Sequence, residues 1–290
     1  MSIVRLAIPK GSLQNSTIEL FKNAGWKIVT SSRSYFPSID DPDIECALVR
    51  AQEISRYVES GIFDIALTGK DWILENESDV YEIADLVYSK TTNTPARWVL
   101  AVAEDSDIEK LEDLEGKKIA TELVNFTKKY FSERHINVEV EFSWGATEAK
   151  VVDGLADAIV EVTETGSTIR AHNLRIIHEL LVTNTKLIAN KKSWVDVKKR
   201  NKMEQIALML KSAIQAEDMT GLKMNAPKDK LDTIIDLLPA ITSPTIASLH
   251  DPAWYSVETI IKESQSRELI PRLLKAGAQG IIEYRLKKVI

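Results

Sequence analysis

The sequence predicts an α/β protein of two lobes between which the backbone crosses twice, with a small βαββαβ domain toward its C-terminal end. Three observations predict this. From Ile3 to Ala189, short apolar runs alternate with segments of helical spacing, the pattern of α/β layers. A polar stretch with a proline, residues 91–95, interrupts that alternation, and a strand at 186–189 follows the second set of elements, which reads as a return of the chain. Beyond residue 214 the order becomes β-α-β-β-α-β, the split ferredoxin-like arrangement. The expected boundaries are residues 1–94 and 185–213 for one lobe, 95–184 for the other, and 214–290 for the small domain.

In the first lobe, the apolar run 3–8 reads as a strand ending in Pro9-Lys10-Gly11-Ser12. A helix follows with apolar positions Leu13, Ile18, Leu20, Phe21 and Ala24, closed by Gly25. Residues 27–30 and 43–49 are β-like, 51–59 is a helix ending near Gly61, and 63–69 is a buried strand running into a glycine turn. The alternation calls for a mainly parallel sheet. In the second lobe, strands at 98–103, 118–121, 138–142 and 156–162 alternate with helices at 127–134 and 147–152. Another helix starts near residue 167, with Ile169 and Leu174 as apolar positions. One long helix, 193–216, carries Trp194, Val197, Met203, Ile206, Ala207, Leu210 and Ile214 on its spacing. The small domain reads as strands at 221–226, 245–249, 256–263 and 280–285 with helices at 227–238 and 266–275. A double crossover leaves a cleft between lobes, where small ligands bind.

Composition narrows the function. Charged residues make up 28% and hydrophobic residues 44% of the 290, a globular rather than disordered balance. The net charge of −6 argues against a nucleic-acid partner, and the absence of any run of about 18 apolar residues argues against a membrane partner. Cys46 is the sole cysteine, so neither an intrachain disulfide nor a cysteine-based zinc site is possible. His135, His172, His178 and His250 have no metal-ligand spacing, and no protein-held metal is expected. The six tryptophans read as core and interface rather than as a base-stacking platform. The first apolar run is too short for an export signal, so a cytoplasmic location is expected.

Residues 156–168 carry the chemistry. The apolar strand Ala156-Asp157-Ala158-Ile159-Val160 ends at Glu161 and is followed by Val162-Thr163-Glu164-Thr165-Gly166-Ser167-Thr168. Hydroxyls and free backbone N–H groups at a helix start make an anion site, and Gly166 lets the backbone come close. Glu161 would repel a phosphate, but an ionised carboxylate accepts hydrogen bonds from ribose hydroxyls. The pattern suits a ribose 5-phosphate. The competing reading is a plain capped turn of Thr and Ser. Neither a Walker loop nor a Rossmann fingerprint is present.

Further segments appear in order: Leu6-Ala7-Ile8-Pro9-Lys10-Gly11, Leu48-Val49-Arg50-Ala51-Gln52-Glu53-Ile54, Asp64-Ile65-Ala66-Leu67-Thr68-Gly69-Lys70-Asp71, Gly116-Lys117-Lys118-Ile119-Ala120-Thr121, Ser243-Pro244-Thr245-Ile246-Ala247 and Gly277-Ala278. Together with residues 154–168, the chain resembles the ATP phosphoribosyltransferase family in its long form, with a C-terminal regulatory domain. The resemblance covers nearly the whole chain and departs from the family at Ser12, where many members carry Arg, and at residues 124–127. It implies two periplasmic-binding-protein-like lobes, an ACT-like regulatory domain, and transfer of the phosphoribosyl group of phosphoribosyl diphosphate to N1 of ATP with release of pyrophosphate and Mg²⁺. It implies that Thr163, Thr165, Gly166, Ser167 and Thr168 hold the 5-phosphate with Glu161 on the ribose, and that Glu164 belongs to the same phosphoribosyl-diphosphate site as a second acid or a solvated loop residue. Lys10, Gly11, Arg33 and Arg50 are then expected at the phosphates of ATP or the pyrophosphate, with Lys10, Arg50 and Glu161 catalytic. Asn225, Ile241, Ser243, Thr245 and Gly280 match a histidine effector site, and a homo-oligomer, dimer to hexamer, is implied. A non-catalytic solute-binding protein or histidine-sensing regulator is the alternative; both fit the lobes or the tail, but neither needs residues 161–168.

Overall fold

The computed structural model describes residues 2–31, 34–88, 95–239 and 243–290. The chain forms two compact units: residues 1–22 with 26–207, and residues 23–25 with 208–290.

The larger unit begins with β1 (Val4–Lys10), α1 (Gln14–Ala24), the hairpin β2 (Ile28–Ser31) and β3 (Ser34–Ile39), β4 (Ile44–Arg50), α2 (Ala51–Glu59), β5 (Ile65–Gly69), α3 (Lys70–Glu75) and β6 (Tyr81–Leu86). The second lobe contains β7 (Ala96–Ala103), β8 (Lys118–Thr121), α4 (Val124–Ser132), β9 (Glu139–Phe142), α5 (Thr147–Val152), β10 (Ala158–Thr163), α6 (Ser167–Ala171) and β11 (Leu174–Thr183). The chain then returns through β12 (Thr185–Ala189), α7 (Lys191–Val195) and α8 (Val197–Glu217). The first sheet runs β4-β1-β5-β12-β6 and the second β11-β7-β10-β8-β9. Two crossings therefore join the lobes, as the sequence predicted.

The sheets are mixed rather than mainly parallel. β1 is parallel to β4 and β5, but β12 enters antiparallel between β5 and β6, with Thr185 opposite Gly69 and Ala189 opposite Ile65. It comes from the second lobe at the end where β5 stops, so it must run backward. β7 is likewise antiparallel to β10 and β11. Leu6, Ile8, Ile65 and Leu67 are fully buried in one lobe, and Leu100, Ile119, Phe131 and Val160 in the other. Each such side chain contributes about 1.5–3 kcal/mol of burial.

Several boundaries moved for identifiable reasons. The helix expected to carry Leu174 stops at Ala171, because Asn173 takes a left-handed φ of 55° that ends it, and Leu174 opens β11. The long helix predicted at 193–216 is two helices. Asn190 caps α7 through the N–H groups of Lys192 and Ser193, and Asp196 breaks the run by accepting the N–H groups of Lys198 and Lys199 at 2.9 and 3.2 Å. Helix α4 starts three residues before the expected Thr127, with the N–H groups of Asn125 and Phe126 donating to Glu75 of the first lobe.

The smaller unit contains β13 (Met219–Pro227), α9 (Leu231–Asp236), β14 (Thr245–Ser248), β15 (Trp254–Lys262), α10 (Glu263–Ala276) and β16 (Gln279–Arg285). This is the predicted βαββαβ order, and its antiparallel sheet runs β14-β15-β13-β16. Leu222, Met224, Val257, Ile261 and Leu273 fill the core. Pro227 closes β13, so a short 3₁₀ turn precedes α9 instead of a helix from residue 227.

One buried acid organises the first lobe. Asp64 accepts the Arg5 N–H at 2.9 Å, the Ser193 hydroxyl at 2.6 Å and the Lys199 ammonium at 2.7 Å. Burial alone would raise its pKa, but these donors outweigh burial and hold it below the usual carboxylate range. Because the folded pKa lies below the unfolded one, the stabilisation is present above the unfolded pKa and is lost as pH falls through the folded value. Asp64→Ala is expected to cost about 3–5 kcal/mol at pH 7. Urea unfolding at pH 7 and at low pH checks this, with the difference from wild type shrinking in acid.

Candidate active site in the interlobe cleft

Two cations come from adjacent strand ends. Parallel pairing of β1 and β4 sets Lys10 directly across from Arg50 at the C-terminal edge of the first sheet, the edge where open α/β sheets bind ligands. Gly11 turns the chain with a left-handed φ of 117°, and a Cβ there would lie 3.7 Å from Arg50 Nη1. Lys10 Nζ stands 4.0 Å over the Tyr35 ring. Arg33 lies outside the described residues.

The second lobe supplies the hydroxyl turn. After β10, the Gly166 N–H donates to Thr163 Oγ1 at 2.8 Å, and the Thr165 and Ser167 hydroxyls lie 3.0 Å apart. Arg170 Nη2 donates to the Thr165 carbonyl at 3.1 Å. Gly166 is left-handed with φ 74°, and a Cβ there would come within 2.9 Å of Arg170 Nη1. A side chain at that position would therefore push into Arg170 and Ile176.

A cavity of about 440 Å³ opens between the lobes, lined by Lys10, Gly11 and Arg50 on one side and by Val162, Thr163 and Glu164 on the other. The structure thus brings the predicted cations and the start of the predicted loop to one cavity. Thr165, Gly166, Ser167 and Thr168 form the turn beyond its lining, and the Glu161 side chain also lies outside that lining. A second cavity of about 420 Å³ shares Arg50, Gln52, Trp72 and Glu122 with the first and adds Arg56 and Trp144. Trp98 is buried, but Trp144 is 62% exposed and belongs to no core.

Acids that sequence reasoning missed surround Glu161. Burial raises its pKa to about 7, helped by the charges of Glu148 and Glu122 and opposed by hydrogen bonds from Thr147 and the Val162 N–H. Glu122 is itself raised, first by burial, against bonds from Gln52 and the Gly145 N–H, with the Asp71 charge adding to the rise. Glu148 sits in the first turn of α5, whose preceding residue Ala146 is held left-handed at φ 48°. That backbone conformation marks functional segments, but no residue type in Gly145-Ala146-Thr147-Glu148 announces it.

Among the small domain's predicted residues, Asn225 and Gly280 are neighbours: Asn225 pairs with Gln279, and a Cβ at Gly280 would lie 3.7 Å from Asn225 Nδ2. Thr245 lies on the opposite edge strand with β15 between, and Ser243 precedes that strand. Ile241 lies outside the described residues.

Fold and cleft together define a class: a two-lobed α/β protein whose cleft presents cations from one lobe and the start of a hydroxyl turn from the other. A family model described as "ATP phosphoribosyltransferase" matches residues 50–212, and one described as "HisG, C-terminal domain" matches residues 216–288. The chain is 63% identical over 287 residues to the ATP phosphoribosyltransferase of Desulfatibacillum aliphaticivorans, covering 99% of this chain and 98% of the relative. It is 64% identical over 289 residues to that of Solidesulfovibrio magneticus, covering 100% and 99%. A solved ATP phosphoribosyl transferase (HisG:HisZ) complex from Thermotoga maritima superposes with a TM-score of 0.62 at 29% identity, over 72% of this chain and 96% of that one. The chain belongs to the ATP phosphoribosyltransferase family, whose reaction opens histidine biosynthesis. It is an enzyme that transfers the phosphoribosyl group of phosphoribosyl diphosphate to N1 of ATP and releases pyrophosphate.

The raised acid has a measurable cost. Glu161 ionises near 7 in the folded chain and near 4.3 unfolded, so wild type loses stability as pH rises between those values and the loss then levels off. In ligand-free protein, Glu161→Gln is expected to gain on wild type between pH 5 and pH 8 by on the order of 2 kcal/mol. Thermal unfolding at the two pH values checks the sign, and a constant difference would contradict it.

Proposed function

We propose that the main cavity is where the two substrates meet, with a division of labour between the lobes. Thr163, Thr165, Gly166, Ser167 and Thr168 hold the 5-phosphate of phosphoribosyl diphosphate, and Glu161, with Glu164 as a second acid of the site, orients the ribose hydroxyls. Lys10, Gly11, Arg33 and Arg50 take the pyrophosphate and the phosphates of ATP. The observation that carries this reading is the shared cavity: Lys10 and Arg50 line one wall, Thr163 and Glu164 the other. The barrier lies in separating a polyanion from a ribosyl carbon that becomes cation-like while a weak nitrogen nucleophile waits in line. Preorganised cations at the leaving group and a fixed approach lower it.

Ribose hydroxyls donating to Glu161 favour its ionised form, the better acceptor, so sugar binding lowers a pKa that stands near 7 in the empty cleft. Mg²⁺ enters with the phosphates as part of the substrate. Among the described residues no group of three or more His, Cys, Asp or Glu is arranged to hold a metal ion, and Mg²⁺ commonly binds through phosphates and waters. No helix among the described residues is long and apolar enough to cross a membrane, and a cytoplasmic site of action fits a substrate such as ATP. Residues 214–290 act as a regulatory domain that binds histidine at Asn225, Ile241, Ser243, Thr245 and Gly280 and lowers activity by favouring a less active cleft. All four residues of the edge strand β14 are exposed, which suits pairing between copies, in a dimer or hexamer.

Pyrophosphate release, pulled forward by inorganic pyrophosphatase, tests the reading. Release should need both substrates and Mg²⁺ and should fall when histidine is added. Arg50→Ala should lower kcat by about 10²–10³-fold, and a variant with normal turnover would remove Arg50 from the site.

A further inference from the structure

Helix α3 belongs to the first lobe by chain order, yet both of its buried carboxylates bond to the second. Asp71 and Glu75 are only 6% and 9% exposed. Asp71 Oδ2 accepts the indole N–H of Trp98, on β7, at 2.7 Å, and its Oδ1 accepts the Trp72 N–H at 3.0 Å. The Asp71 N–H in turn donates to the Thr183 hydroxyl at the end of β11, at 3.2 Å. The rings of Trp72 and Trp98 meet edge to face at 6.3 Å.

Glu75 does the same one turn later. Its two oxygens accept the N–H groups of Asn125 at 3.0 Å and Phe126 at 2.9 Å, and Asn125 Nδ2 donates back to the Glu75 carbonyl at 3.1 Å. These N–H groups open α4, whose own N-cap position is Leu123, without a capping oxygen. The positive end of a second-lobe helix is therefore completed by an acid from the first lobe. On its other side α3 is tied to its own lobe, where Asn76 Nδ2 bonds the Gln52 carbonyl at 2.8 Å and Ser55 Oγ at 2.9 Å.

We propose that Asp71 and Glu75 are positioning residues for phosphoribosyl transfer: from α3 they hold the second lobe at the separation that sets Lys10 and Arg50 opposite Thr163 and Glu164. This rests on the division of labour proposed above. The second lobe holds the ribose and its 5-phosphate and the first holds the pyrophosphate and the phosphates of ATP, so the distance between lobes sets the distance between reacting groups. A misplacement of about 1 Å costs about 10²-fold in rate. Asp71 borders the main cavity, but the oxygens of both acids accept protein N–H groups, and it is through Trp98 and α4 that they set the lobes.

The test uses the full chain with Glu75→Gln, Asp71→Asn and, from the opposite side of the first bond, Trp98→Phe. Spin labels at Glu19→Cys and Glu133→Cys, both exposed and one on each lobe, report the interlobe distance. Each variant is expected to broaden that distance distribution and to lower kcat by about 10²-fold, with circular dichroism unchanged. Affinity for ribose 5-phosphate, which only the second lobe holds, should change far less than kcat. Unchanged kcat in the variants would overturn the proposal, as would lost turnover with an unchanged distance distribution. If one variant unfolds, Trp98→Phe must still reproduce both effects, and its failure to do so also overturns the proposal. The label distances do not depend on activity, so an error in the roles of Lys10 and Arg50 would show separately, as normal turnover in Arg50→Ala.

Discussion

Strand β12 enters the first sheet between β5 and β6, so that sheet closes only after the whole second lobe has been made. The lobes are thereby joined by two crossings rather than one, and the cleft lies beside both. Residues on each crossing, Tyr88 and Ala96 on one and Thr183 and Thr185 on the other, line the main cavity. The cleft's geometry depends on a strand that is distant in sequence from its neighbours, with Ala189 opposite Ile65. Such pairing costs chain entropy before it is rewarded, and it makes the first lobe depend on the second for its own completion.

The ionisable groups divide by location. Asp64 and Asp41, away from the cleft, sit below the ordinary carboxylate range because lysines and N–H donors outweigh their burial. Asp71, Glu75, Glu122 and Glu161, around the cleft, are all raised, because burial there is answered by neutral donors and, at Glu122 and Glu161, aggravated by other acids. Perturbation of this kind gathers at functional sites. Glu122 and Glu161, which ionise reluctantly, belong to the second lobe, and the cations Lys10 and Arg50 to the first. The acids suit sugar hydroxyls; the cations suit phosphates.

Local patterns made much of this legible. Alternating runs placed the strands ending at Lys10, Arg50, Gly69 and Thr121, because a buried parallel strand reads as an apolar run wherever it lies. β3, with Pro37 in its middle, and the half-exposed β6 escaped notice, since neither shows a clean alternation. The helix break at Asp196 was hidden because its neighbours, Trp194 and Val197, keep helical spacing across it. Glu148 was missed for a different reason: it reaches Glu161 only through the fold.

By itself the sequence determined the element types, the two-lobed α/β plan with its βαββαβ tail, and the acid-and-hydroxyl segment at residues 161–168, because propensity, periodicity and turn chemistry act over a few residues. Tertiary structure alone decided the direction of β12, the register that sets Lys10 beside Arg50, and the bonds from Asp71 and Glu75 to partners 27 and 50 residues away. Those outcomes depend on which groups meet after the chain has crossed twice, and no local pattern encodes a meeting between residues that are neighbours only in space.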